Sequence, residues 1–557
     1  MKKYVSYLAI LACCLLGGLE GAAQSFRTAD GEYYDIGKIH LSVSSESEVA
    51  QKWFDRGLAM CYGFNHEEAV LCFERALQAD PGLAMGHWGM AYAWGPNINN
   101  MLIASDQIAK ADHAVHLAKL YADDAKPLEK DLIEALGARY TAPVPEEREG
   151  LNRSYAEAMR KLHKKHKDSP LVAALFAESL MNLQPWKHWS PAGEPGAETQ
   201  EIVQVLEQAM ARWPDYPALS HLYIHTMEAS PTPEKALPAA NRLRNAVPGS
   251  GHLIHMPSHI DVLVGAYDDV IEANTRAIEV DDDYARREGP FNFYTLYRIH
   301  NYHFLVYGAM FDGQSELALA TARKLVEQVP EEMLKQQVDF IDAFIPTSLH
   351  VLVRFGRWEE ILQEPEPAEY LPVTRSVWHY ARALAYAATG RVAEAEEERD
   401  LFKEVRATVP DTSFLFQNAS QNILEVAEQM IEGEIAYRQG DFDKAFEYLR
   451  EAVRHDDSLN YDEPWGWMQP ARHALGALMM EQGHFEESEA VYRADLKRHP
   501  KNPWALHGLA EALRGQGKAE EAAECQLRFM AASKRTDVKI DRSCYCRLQD
   551  EEEAAKK

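Results

Sequence analysis

The sequence holds 22 histidines, and several stand at spacings that place imidazoles on one face of a helix. His221, His225 and Glu228 form an H-x3-H-x2-E stripe. In a helix, positions three, four and seven apart share a face. His252, His255 and His259 follow the same spacing, and His300 with His303 repeats its shorter step. Two imidazoles at i and i+4 are the usual way for one helix to offer two nitrogens to one ion. Imidazole with carboxylate suits zinc, copper, iron, nickel or manganese. The expected ligand set is therefore His221, His225, Glu228, His255, His259 and His303, holding one or more divalent transition metals. A centre with a spare coordination position would also be able to catalyse. A plainer reading stays open: the imidazoles hydrogen-bond neighbouring tyrosines and backbone, bind an acidic peptide, or switch with pH.

Such ligands need helices to carry them. Ala, Glu and Leu are plentiful, and all three favour helix. A pattern of small residues, turn glycines and closing prolines recurs. Near the start stand Trp53, Gly57, Gly63, Ala69, Phe73, Ala76 and Pro81, then Trp88, Gly89 and Ala91. Near the end stand Leu475, Gly476, Gly483, Tyr492 and Pro500, then Leu506, Gly508, Gly517 and Ala522. Gly57 to Gly89 and Gly476 to Gly508 are 32 residues each, and Gly483 to Gly517 is 34.

This pattern resembles the tetratricopeptide-repeat (TPR) family, whose period is about 34 residues. The resemblance covers roughly residues 46–535. It implies an all-α fold, a TPR-type α-solenoid of stacked helical hairpins. The first helices of the hairpins would line a concave groove for a protein, peptide or small-molecule ligand. Within that family the chain is similar to a group of exported bacterial members. The residues that carry this likeness are His252-Leu253-Ile254-His255-Met256-Pro257-Ser258-His259, Tyr461-Asp462-Glu463-Pro464 and Cys544-Tyr545-Cys546. No settled activity comes with that group.

The resemblance supplies a register. In the family, groove residues lie thirteen, ten and six positions before the turn. Turns at 63, 231, 265, 313, 356, 390, 440, 483 and 517 define 27 such positions, and ten are histidine, where chance would place about one. They are His221, His225, His252, His255, His259, His300, His303, His350, His473 and His507. The last three stand alone on their hairpins and are read as structural. Pro257 is expected to start a helix, leaving His252 and His255 just before it. Trp53 and Trp504 also fall on groove positions, and with Trp88 in the second repeat copy they fit either a ligand or packing. Residues 184–199 and 456–469 read as long loops.

Residues 1–23 read as a secretory signal: Lys2 and Lys3, an apolar stretch at 5–16, and Gly21-Ala22-Ala23 before Gln24. The apolar stretch is too short to span a bilayer, and nothing else is long and apolar enough. Periplasmic or secreted location is expected, with Ile10-Leu11-Ala12 a poor lipid-attachment box for Cys13. Residues 24–45 read as extended, 46–535 as solenoid and 536–557 as a tail with its C-x-C. The net charge of -28 repels phosphate backbones, so nucleic acid is not an expected partner, whereas cations and basic partners are suited. Beyond the signal, Cys61, Cys72, Cys525, Cys544 and Cys546 are too few for a disulfide framework. Cys544 and Cys546 are read as a disulfide or redox-labile pair, with a metal pair open. H-E-x-x-H, phosphate-binding glycine loops and G-x-S-x-G are absent from the sequence. Three functions remain: a metal-holding binding protein, a metal-dependent oxidoreductase or hydrolase on the same scaffold, and a metal-free interaction scaffold.

Overall fold

A computed structural model of the chain describes residues 26–548, apart from 29–30, 102, 142–144 and 146. The signal at 1–23 and the end of the tail lie outside the described residues. Helices follow one another from Glu48 to Ala532. Among the described residues the sheet content is one two-stranded hairpin, Phe414–Leu415 against Asn418–Ala419. The chain is an all-α solenoid.

Consecutive helices pair as hairpins: Glu48–Tyr62 with His66–Ala79, Pro372–Ala388 with Val392–Arg406, Ser420–Arg438 with Phe442–Ser458, and Pro503–Gly515 with Ala519–Ala532. The 32-residue glycine spacing has a direct packing cause. Gly57 and Gly89 both face the Phe73 ring, where a Cβ would come within 2.6 and 2.5 Å. Gly476 and Gly508 flank Tyr492 in the same way, at 2.5 and 2.2 Å. The aromatic ring of one helix is thus clasped by backbone on both sides, and only glycine leaves room. The turn glycines 265, 313, 356, 390, 440, 483 and 517 all take positive φ, which glycine adopts without steric cost. At the first turn Gly63 has φ -94°, and Phe64 takes the left-handed conformation at φ 54° instead.

Distant turns of the solenoid also touch one another, and the histidines expected along the concave groove are buried. In a simple repeat array each unit touches only its neighbours. Here Tyr267 Oη donates to the Pro500 carbonyl at 3.1 Å, and Trp504 Nε1 donates to the Met310 carbonyl at 3.0 Å. Arg535 pairs with Asp312 at 2.6 Å. At the other end Arg287 pairs with Glu68 at 2.9 Å, and the Tyr62 and Tyr216 hydroxyls meet. The inner face is therefore filled and covered. Two apolar cores, one running from Tyr33 to Tyr297 and one from Val262 to Cys546, meet in the segment that carries His252 to His303. The tail folds back onto the repeats: Ser543 bonds Tyr492 and the His473 carbonyl, and Cys544 is joined to Cys546.

Candidate metal centre

Three helical segments supply the imidazoles. Pro217–Met227 begins with proline, whose fixed φ suits the first helical turn; it carries His221 and His225, and Glu228 is its C-cap. The second is longer than expected. A helical turn, Gly251–His255, precedes Pro257, and Met256 keeps helical dihedrals into Pro257–Val264. His252, His255 and His259 therefore share one nearly continuous helix instead of straddling its start. The third, Thr295–Asp312, carries His300 and His303.

These segments bring six imidazoles together in two sets. His221 Nε2 lies 3.1 Å from His252 Nε2, with the His225 ring 4.9 Å from that of His221. His255 Nε2 lies 2.7 Å from His259 Nε2 and 3.0 Å from His300 Nε2. The six are buried, His300 least so at 9% exposed. Phe64, placed by its left-handed backbone, packs on His221, His225 and His252. Phe416, at the tip of the small hairpin, lies against His300.

The partners of the other ring nitrogens fix the tautomers. The Asn274 amide donates to the Val270 carbonyl at 2.8 Å and to Ser258 at 3.1 Å. Its oxygen is left to accept from His255 Nδ1 at 2.6 Å. Glu228 accepts from His225 Nδ1 at 2.9 Å and from His259 Nδ1 at 2.7 Å. With Glu228 ionised, each of these three imidazoles carries its hydrogen on Nδ1 and a lone pair on Nε2. The His255 and His259 lone pairs face each other at 2.7 Å, a contact that two acceptors cannot turn into a hydrogen bond. His225 Nε2 is buried with no hydrogen-bond partner. Metal-ligating histidines carry this signature, the distal nitrogen donating to a carboxylate or amide while the near one is bare.

The electrostatics agree. Burial pushes His225 and His255 down to about 3. Burial, reinforced by neighbouring imidazoles, holds His221, His252, His259 and His300 well below the ordinary value. All six stay neutral near pH 7, as ligands must. Glu463, from the loop after Ser458, reaches Glu228 and stands 3.8 Å from His259 Nδ1. Burial and then repulsion by Glu228 push Glu463 up, and burial pushes Glu228 up as well, against the contact with Glu463 that lowers it. In its ionised form Glu228 is the acceptor for both imidazoles.

Of the expected ligands, His221, His225, Glu228, His255 and His259 are gathered here. His303 stands apart: it packs on Phe344 and shares a cavity of about 20 Å³ with His350. His252 and His300 take its place in the sets of close ligand atoms. Both stood on groove positions in the sequence, so the signal was there. Glu463 was marked only by an acidic pair flanked by Tyr461 and Trp465 in a loop. His473 is held by Asp495 and Arg354, each at 3.0 Å, while His507 lies 3.9 Å from Glu511; neither joins the cluster.

Residues 377–400 and 503–525 match the tetratricopeptide repeat family. Solved structures similar to the chain include the human IFIT1 dimer with m7Gppp-AAAA, at 12% identity over 88% of this chain and 92% of that one, TM-score 0.31. Another is Naa15/Naa10 bound to HypK-THB, at 12% identity over 87% and 70%, TM-score 0.21. Likeness at such scores carries nothing about ligand or reaction. None of the curated proteins matches the sequence.

Proposed function

We propose that this tetratricopeptide-repeat chain is an exported protein, periplasmic or secreted, that holds transition metal between its inner helices. It is similar in this respect to the exported bacterial group with the H-M-P-S-H segment and the C-x-C tail. Tetratricopeptide repeats suit an interaction scaffold, and a partner protein or peptide would meet the outer faces, since the inner one is covered. One observation carries the metal reading: two Nε2 lone pairs aimed at each other at 2.7 Å, each fixed by a donor contact on the far side of its ring. A cation between such atoms turns a repulsive contact into two bonds.

The test is elemental analysis of mature protein purified without chelators, followed by stripping and reloading. Bound transition metal, and a melting temperature that rises on reloading, are expected, since a ligand that binds only the folded state stabilises it by mass action. Less than about a tenth of an equivalent, with no rise on adding metal, would leave only the scaffold.

A further inference from the structure

We infer that the centre takes two ions, each in a triad of histidines, with Glu228 as the positioning residue between them. This deepens the metal reading above and rests on it. Ligand atoms of His221, His225 and His252 all lie within 4.8 Å of one another, and so do those of His255, His259 and His300. The triads share no residue, and among the described residues no group of four meets that limit.

Bonds of about 2.0–2.1 Å require the nitrogens of one ion to lie within roughly 4.2 Å of each other. One ion therefore cannot collect all six. The triads nonetheless adjoin: the His225 and His259 rings are 5.5 Å apart, and those of His252 and His255 are 6.0 Å apart.

Glu228 links them. Its two oxygens each hold the Nδ1–H of one histidine, His225 from one triad and His259 from the other. The carboxylate thereby sends one bare Nε2 into each triad. A single ion between Glu228 and the two Nδ1 atoms is the rival arrangement, since those three atoms also lie close together. It leaves the 2.7 Å approach of His255 and His259 Nε2 unanswered, and makes no use of His221, His252 or His300.

The donor set selects the ion. Three neutral imidazoles with no carboxylate oxygen in direct contact suit copper and zinc, and not magnesium, calcium or manganese, which prefer oxygen. Three protein ligands also leave each ion a coordination position for a small exogenous group.

The experiment loads stripped, full-length mature protein with zinc(II) and, in parallel, with copper(I) under reductant. Unbound metal is removed and ions per chain are counted. Wild type should hold two. His252→Gln and His300→Gln each remove one triad ligand while filling the space with a polar side chain, and each should hold one; the double variant should hold none. Both variants lie outside the Glu228 group, so that group alone would not feel them. Circular dichroism and melting of each stripped variant confirm folding, and Asn replaces Gln where it fails. One ion in wild type, kept by both variants, would overturn the two-ion centre and leave the metal reading standing. No ion in wild type with either metal would overturn both.

Discussion

Glu228→Gln separates the carboxylate's positioning role from a role as ligand. The substitution keeps size and shape but offers one carbonyl oxygen and one NH2 where Glu228 offers two acceptors. Two Nδ1–H groups now approach it, at 2.9 and 2.7 Å, and only one finds an acceptor. The other ring meets an N–H, shifts its hydrogen to Nε2, and ceases to be a ligand. Loss of a partner that orients a ligating histidine typically weakens metal affinity 10–100-fold, which is about 1.4–2.7 kcal/mol. The expected result is asymmetric: one of the two ions weakens by that factor while the other changes little. Competition against a chromophoric chelator near neutral pH reads the two steps. The stripped protein should not lose stability in proportion, because Glu228 is a buried carboxylate whose ionisation burial opposes. Equal, unchanged affinity for both ions would refute the positioning role. Loss of both ions together would instead make Glu228 a direct ligand of both.

Acid should make the cluster's imidazoles destabilise the stripped chain. His225 and His255 titrate at about 3 in the fold, against about 6.5 unfolded. Below 6.5 the unfolded chain therefore binds more protons, and stability falls as pH drops from 6.5 towards 3, by up to about 1.4 kcal/mol per pH unit for each imidazole. Buried carboxyls raised by burial, such as Asp281 at about 7, give the opposite slope, so the comparison is with stripped His255→Gln: a variant whose melting temperature falls with pH as steeply as wild type between about pH 7 and pH 5 would contradict the buried neutral cluster. Gly265 and Gly390 share a left-handed backbone, at φ +70° and +77°, but a Cβ on Gly265 would meet the Pro500 carbonyl at 2.0 Å whereas Gly390 faces open space. Gly390→Ala should cost about 1–2 kcal/mol and Gly265→Ala clearly more; equal shifts in melting temperature would remove the closing contact from the account. Phe416→Ala uncovers His300, the most exposed ligand, and should speed metal uptake and release together in stopped-flow, leaving affinity within about threefold; a change confined to affinity would count against it. Amino-terminal sequencing of the exported form should begin near Gln24, and finding Met1 on soluble cytoplasmic protein would count against export.

The repeat architecture was legible because each of its signals is local. A turn glycine reports a left-handed backbone, and a glycine pair 32 residues apart reports the ring between them. The histidine face was legible for the same reason, since helical phase is a property of one segment. What failed needed information from several segments at once. His300 and His303 are three residues apart, which is about 60° of rotation and 4.5 Å of rise. That is enough to turn one towards His255 and the other towards Phe344. Which of the two enters the cluster depends on how the hairpins cross, and no local pattern encodes it. Closure, likewise, rests on contacts such as Tyr267 with Pro500, 233 residues apart. Glu463 arrives from a loop, outside any helical register.

The chain contains its own control for what a structural histidine looks like. His473 is buried as deeply as the cluster, yet both its nitrogens are engaged, one by Asp495 and the other by Arg354. His379 is held by Glu398 at 2.7 Å. These rings are satisfied by protein alone, as buried polar groups generally are. Three of the six clustered rings follow the opposite rule. Their outward nitrogens at His225, His255 and His259 are held by Glu228 and Asn274, while the inward nitrogens of His255 and His259 face each other and that of His225 has no partner. A buried acceptor without a donor costs about 1–3 kcal/mol, and leucine or phenylalanine at these positions would avoid the cost. The six converge where two cores meet. On the proposed metal reading the same lone pairs become bonds. Departures from local stability rules concentrate at functional sites, and in this solenoid the departure and the proposed ligands are the same atoms.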